Sequence, residues 1–173
     1  MARRHVVLVG LPGAGKTAVG ALAAARLGAP FLDVDRVIAS RASRTVPAIF
    51  AEQGEAAFRA LEAAVGAELL AGPPALVATG GGFFADPMTR RHALDVAYVV
   101  YLETTPVTAA RRLSGLKDRP LLEGHEPAQR LDELLEQRVA AYLEAQGRVT
   151  TEDRSAEDVA EEVAALARAH GGW

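Results

Sequence analysis

Residues 10–17 read Gly-Leu-Pro-Gly-Ala-Gly-Lys-Thr. This is a complete G-x-x-x-x-G-K-[ST] pattern, whose glycines, lysine and hydroxyl are spaced to hold phosphate. An apolar run, His5-Val6-Val7-Leu8-Val9, stands directly before it. A buried strand that ends in such a loop and opens into a helix aims several backbone N–H groups inward at the positive end of the helix dipole. Polyphosphate is the ligand that suits this arrangement. Lys16 and Lys117 are the chain's two lysines, positive charge being carried otherwise by arginine, and Lys16 occupies the motif's required place.

Asp33 and Asp35 close the segment Phe31-Leu32-Asp33-Val34-Asp35. Alternate strand residues share a face, so both carboxylates are expected to point at one cleft. One carboxylate beside a Mg·ATP site can hold the hydrated cation together with Thr17, and a second can orient or deprotonate an attacking hydroxyl. The plainer alternative makes Asp35 a helix cap and Asp33 a solvated acid. Arg59 has Glu62 three residues on, where the carboxylate can steady the guanidinium. Taken alone this pair, like Arg138, reads as ordinary helix surface. Gly80-Gly81-Gly82 follows an apolar run and permits close backbone approach to a ligand. Between Ser114 and Pro127 a polar stretch holds Lys117, Asp118, Arg119 and Pro120. An arginine there can neutralise the charge that spreads over transferring phosphoryl oxygens, and closure of the stretch would exclude water. His5, His92, His125 and His170 have no ligand spacing, so no transition-metal site is expected.

The elements that must place these residues alternate between short apolar runs and longer helical patterns. Strands are expected at about 5–9, 31–33, 75–79, 96–102 and 148–150. Helices are expected at about 15–27, 35–41, 47–70 (broken near Gly54), 87–93, 106–113, 128–146 and 156–169, with Ser155 as the last N-cap. The pattern predicts an α/β three-layer sandwich around a five-stranded parallel sheet, a P-loop kinase fold in one domain over 1–173, with about 114–127 as a mobile lid. In such sheets ligands collect at the carboxyl ends of the strands, and the candidate site residues fall at or after such an end or in the polar stretch that could cover it. At 173 residues, net charge −3 and no cysteine, the chain offers no disulfide, no thiolate metal site and no basic face for nucleic acid. No signal peptide and no apolar run of membrane-spanning length is read, so a cytoplasmic protein without membrane contact is expected.

In that order the motifs resemble those of the shikimate kinases. They are GLPGAGKT at 10–17, LGAPFLDVD at 27–35, IFAEQGEAAFRALE at 49–62, GGG at 80–82, DRPLL at 118–122, and the pair Arg138 and Tyr142. The resemblance covers nearly the whole chain and implies ATP and shikimate as substrates with Mg²⁺ as cofactor. It implies that Gly13, Ala14, Gly15, Lys16, Thr17 and Ala18 hold ATP, with Lys16 on the β- and γ-phosphates. Thr17 would bind Mg²⁺, with Asp33 reaching it through water. Asp35 would hold the shikimate hydroxyls and serve as base. Arg59 and Arg138 would grip the shikimate carboxylate, beside the N–H groups of Gly81 and Gly82. Arg119 would be the lid arginine, and Arg154 would lie against adenine. Three positions depart from the family pattern: Ala140 stands for a proline, Ala39 for a glutamate and Ser43 for a glycine.

The activity expected is phosphorylation of the shikimate 3-hydroxyl by ATP, carried out by a monomer in aromatic amino acid (chorismate) biosynthesis. Two rivals are a kinase for another small acceptor, gluconate or a nucleoside monophosphate, and a non-catalytic kinase-like module that senses a ligand.

Overall fold

Along β1 (His5–Val9) the side chains alternate, Val6 and Leu8 to one side and Val7 and Val9 to the other, and all four are fully buried. A strand with both faces covered reads as a continuous apolar run, which is why this segment shows no polar alternation. The computed structural model describes residues 2–114 and 126–173. After β1 come α1 (Lys16–Leu27), β2 (Phe31–Asp33), α2 (Val34–Ala42), α3 (Val46–Leu70), β3 (Leu76–Ala78) and α4 (Pro87–Val96). Then follow β4 (Ala97–Glu103), α5 (Pro106–Leu113), α6 (Pro127–Tyr142), β5 (Gly147–Thr150) and α7 (Ala156–His170).

The five strands are parallel, in the order β2-β3-β1-β4-β5. Val6 and Leu8 pack with Val19 and Ala23 of α1 and Val159 and Val163 of α7. On the other face, Val7, Val9, Val77 and Val99 meet Ile49, Phe58 and Val65 of α3 and Leu131 and Leu134 of α6. The result is the three-layer α/β sandwich that the alternation implied. The connection from β1 leads toward β2, whereas that from β3 crosses to β4, so the order reverses between β1 and β3. Ligand crevices of open α/β sheets form at such a switch point.

Element identities match the expectation; β1, β2 and α5 fall at the expected ends, and the other ends shift by at most four residues. α6 stops at Tyr142 rather than Gln146, whose amide turns inward instead: Oε1 accepts from Val99 N–H at 2.7 Å and Nε2 donates to the Leu94 carbonyl at 3.2 Å. The break near Gly54 is a kink inside α3, where Gly54 takes φ 81° and ψ 171°. Ser155 caps α7, its hydroxyl accepting from Asp158 N–H at 3.1 Å. Ser43 ends α2 in the left-handed region at φ 50°, a conformation that glycine adopts without strain and serine only at a cost. Ala140 lies inside α6 without a kink, since alanine keeps the N–H that proline lacks. Among the described residues no helix is long and apolar enough to cross a membrane.

Candidate active site

The loop after β1 is shaped by Gly13 and Gly15 at φ 82° and 91°, conformations that a side chain would strain. Gly15 is the N-cap of α1, and no side chain caps the N–H groups of the first turn, which holds no acidic residue either. Those donors and the helix dipole face the same space, and an anion satisfies both. Lys16 is 8 % exposed and folds back over the loop, its Nζ donating to the carbonyls of Gly10 and Leu11 at 2.8 and 2.9 Å. Ala14 is buried beneath the loop, and Ala18 lies exposed on the first turn of α1.

Thr17 Oγ1 donates to Asp33 Oδ2 at 2.7 Å. The other oxygen of Asp33 accepts from Arg36 N–H at 3.1 Å and caps α2. Asp33 is therefore the capping residue, and Asp35 is not. The expectation that both carboxylates share a strand face fails, because β2 ends at Asp33 and Asp35 sits in the first turn of α2. The helix turn nevertheless carries Asp35 toward the glycine turn: a Cβ placed on Gly80 would lie 3.0 Å from Asp35 Oδ1.

That turn, 80–82 at the carboxyl end of β3, gathers the remaining groups. Arg138 Nη1 donates to the Gly81 carbonyl at 2.9 Å, and Tyr142 O–H donates to the same oxygen at 2.7 Å. Burial pushes the Tyr142 hydroxyl up to about 12, so it stays a donor. A methyl group on Gly82 would overlap the Arg59 guanidinium, and one on Gly81 would come within 2.9 Å of Pro12 in the phosphate loop. Arg59, Asp35 and Arg138, from three different helices, thus flank one glycine turn that abuts the loop after β1. Arg59 Nη1 donates to Glu62 Oε2 at 2.8 Å, and its guanidinium lies 5.6 Å from the Phe58 ring and 5.9 Å from that of Phe50. Phe83 and Phe84 are buried packing residues.

Glu62 has more weight than a steadying neighbour. It is 1 % exposed, and among the described residues nothing donates to its Oε1. Burial pushes its carboxyl above the ordinary range; the Arg59 guanidinium pulls it down, Asp35 pushes it up and Arg138 opposes. Between the ordinary carboxylate value and the raised one, the folded protein binds more of this proton than the unfolded chain does, so this group's contribution favours folding less as pH rises through that range. In urea unfolding, Glu62→Gln should gain stability relative to wild type as pH climbs through the range between the ordinary carboxylate value and the raised one. A difference between the two proteins that stays constant with pH would remove Glu62 from this role.

Arg154 sits apart from this cluster, beyond β5, where Nη1 donates to the Thr150 carbonyl at 3.2 Å and to Glu162 at 2.6 Å. Arg119, Lys117 and His125, with most of the expected lid, lie outside the described residues. His5 is structural: its Nδ1 accepts from Ala75 N–H at 3.2 Å, while Nε2 lies 3.2 Å from the Gly72 carbonyl. His170 stacks on Tyr98. One group went unanticipated. Arg112, at the end of α5, reaches the carbonyl of Gly13 in the phosphate loop at 3.4 Å and that of Thr151 at 2.8 Å. A helix-terminal Arg111-Arg112 pair looks like dipole complementation, and nothing local marks it as more.

Residues 12–168 match the family model described as Shikimate kinase. A shikimate kinase of Thermobifida fusca is 47% identical over 165 residues, which cover 94% of each chain. One of Symbiobacterium thermophilum is 44% identical over 92% of this chain and 93% of its own. The shikimate kinase of Acinetobacter baumannii, solved in complex with shikimate, superposes with a TM-score of 0.93 at 36% identity, covering 97% of this chain and 94% of that one. With the phosphate loop beside the glycine turn and its arginines, these matches run the length of the sheet: the chain belongs to the shikimate kinase family.

Proposed function

We propose that the protein transfers the γ-phosphoryl group of ATP to the 3-hydroxyl of shikimate, and that the two substrates meet between the loop after β1 and the glycine turn after β3. The observation that carries this reading is the close approach of those two segments at Pro12 and Gly81, with Asp35, Arg59 and Arg138 gathered around the same glycine turn. Lys16 and the N–H groups of residues 13–18 bind the triphosphate. Arg59 and Arg138 pair with the carboxylate of the acid, for which a planar fork of donors is the fitting partner. The N–H groups of Gly81 and Gly82 face the acid, and Asp35 accepts hydrogen bonds from its hydroxyls and takes the proton of the attacking one. Arg119 and Arg154 enter this reading through the motif resemblance.

Thr17 Oγ1 and Asp33 Oδ2, held 2.7 Å apart, are hard oxygen donors of the kind Mg²⁺ accepts, and phosphate oxygens and water would complete its shell. When bound, Mg²⁺ neutralises phosphate charge. Catalysis then consists of positioning and charge neutralisation, with no covalent enzyme intermediate. The protein is taken to be one domain, with 114–127 as its lid, and a cytoplasmic monomer.

The test is ADP release from Mg·ATP by the purified protein with shikimate, gluconate and AMP in turn. Turnover with shikimate alone is expected. Turnover with gluconate and none with shikimate would overturn the acceptor, and ATP binding without turnover on any of them would favour a sensing module.

A further inference from the structure

The loop after β1 fixes the triphosphate above the middle of the sheet, and the groups assigned to the acid stand on the β3 side. The rest of the nucleotide must therefore extend toward β4 and β5, the neighbours on the other side of β1. The residues there are tied into a network that the proposed reaction has not used. Glu152, in the loop after β5, accepts three hydrogen bonds from the start of α5. Its Oε1 takes Thr104 Oγ1–H at 3.0 Å and Thr105 N–H at 2.7 Å, and its Oε2 takes Thr108 Oγ1–H at 2.7 Å. Burial opposes ionisation of this carboxyl, but those donors outweigh it and hold the group below the ordinary carboxylate range. The positive end of the helix adds to the same effect.

One residue earlier, Thr151 is fixed to the far end of α5. Arg112 Nη1 donates to Thr151 Oγ1 at 2.9 Å and Nη2 to its carbonyl at 2.8 Å, while Nη1 also reaches the Gly13 carbonyl. Both ends of α5 are thus pinned to one short loop. Thr104, Thr108 and Thr151 are buried, so the threonine ends of these bonds are sheltered, while the Thr105 N–H to Glu152 bond faces solvent.

We propose that Glu152 is a positioning residue for the non-phosphate end of the nucleotide: it locks α5 against the loop after β5, and through that lock sets the Arg112 guanidinium at the edge of the phosphate loop. This rests on the nucleotide reading given above. Removing the carboxylate frees the start of α5, which lets Arg112 drift while the phosphate loop keeps its own geometry.

The test compares ATP with inorganic tripolyphosphate, which shares the phosphates and lacks the base and ribose. Glu152→Ala should weaken ATP binding and raise the ATP KM about tenfold, leaving tripolyphosphate affinity and the shikimate KM within about twofold. Glu152→Gln keeps the shape and the two-bond acceptor oxygen, and should restore ATP affinity to within about twofold of wild type. Because Glu152 acts through Arg112, the double variant with Arg112→Ala should bind ATP no more weakly than Arg112→Ala alone. Equal loss of ATP and tripolyphosphate, unchanged ATP affinity in Glu152→Ala, or additive effects in the double variant would each overturn the proposal. Should Glu152→Ala not fold, the pair Thr104→Val and Thr108→Val removes two of the three donors and is read by the same criteria. A wild-type protein that binds tripolyphosphate but not ATP would instead sink the nucleotide reading on which the proposal stands.

Discussion

Exchange of Lys16 for alanine should lower turnover about 10³-fold or more and leave the protein folded. The ammonium is the one lysine charge that the loop after β1 carries, and it sits on the buried side of a turn whose other donors are neutral N–H groups. Its two hydrogen bonds to the Gly10 and Leu11 carbonyls span the loop, so it is already held where phosphate would arrive. Charge on the transferring group grows and shifts during the reaction, and a fixed cation in a partly dry site stabilises it far more than a neutral donor does. Truncation also strips those two carbonyls of a partner, at a cost of about 1–3 kcal/mol, which a domain of ordinary stability tolerates. Steady-state ADP release and thermal unfolding check both halves. Turnover within about tenfold of wild type would take Lys16 out of the mechanism, because no positioned phosphate cation is that dispensable.

What could be read from residues alone divides along the range of the interactions involved. The phosphate loop was legible because strand, glycines, lysine and helix are contiguous, so the local chemistry dictates the local shape. Strand and helix identities followed for the same reason, apolar runs and capping residues being short-range signals. Asp33 and Asp35 show the first limit. Both were recognised as site carboxylates, but the chain turns helical one residue earlier than a strand reading assumes, and the cap passes from Asp35 to Asp33. Arg59 and Arg138 show the second. Each looks like helix surface alone, and they flank one turn only because β3 lies between β1 and β2 in the sheet. The motif resemblance supplied that pairing, which periodicity could not. Arg112 and Glu152 lay beyond both sources: their contacts with the phosphate loop and with α5 join residues 99 and 44 to 48 positions apart. A glutamate in a polar loop has no local mark of such a bond.

Arg59→Ala should raise the shikimate KM about a hundredfold while kcat stays within about threefold. The carboxylate of the acid is remote from the reacting hydroxyl and keeps its full charge throughout the transfer. An arginine paired with it contributes equally to ground and transition states, and that kind of binding appears in KM. The same substitution has a second consequence, which separates a binding role from a packing one. Glu62 would lose the guanidinium that partly neutralises it and would be left as a carboxylate 1 % exposed, with Asp35 nearby. Leaving a buried charge without its partner costs about 3–5 kcal/mol unless the group protonates. The melting temperature of Arg59→Ala should therefore fall, and fall further as pH rises. Adding Glu62→Gln removes the stranded charge, so the double variant should recover most of the lost stability and none of the lost affinity for shikimate. Recovery of KM along with stability would mean that Arg59 serves the fold and does not touch the acid. An unchanged KM in Arg59→Ala would leave Arg138 as the cation facing the carboxylate from the described part of the site, and would move Arg59 to the support of Glu62.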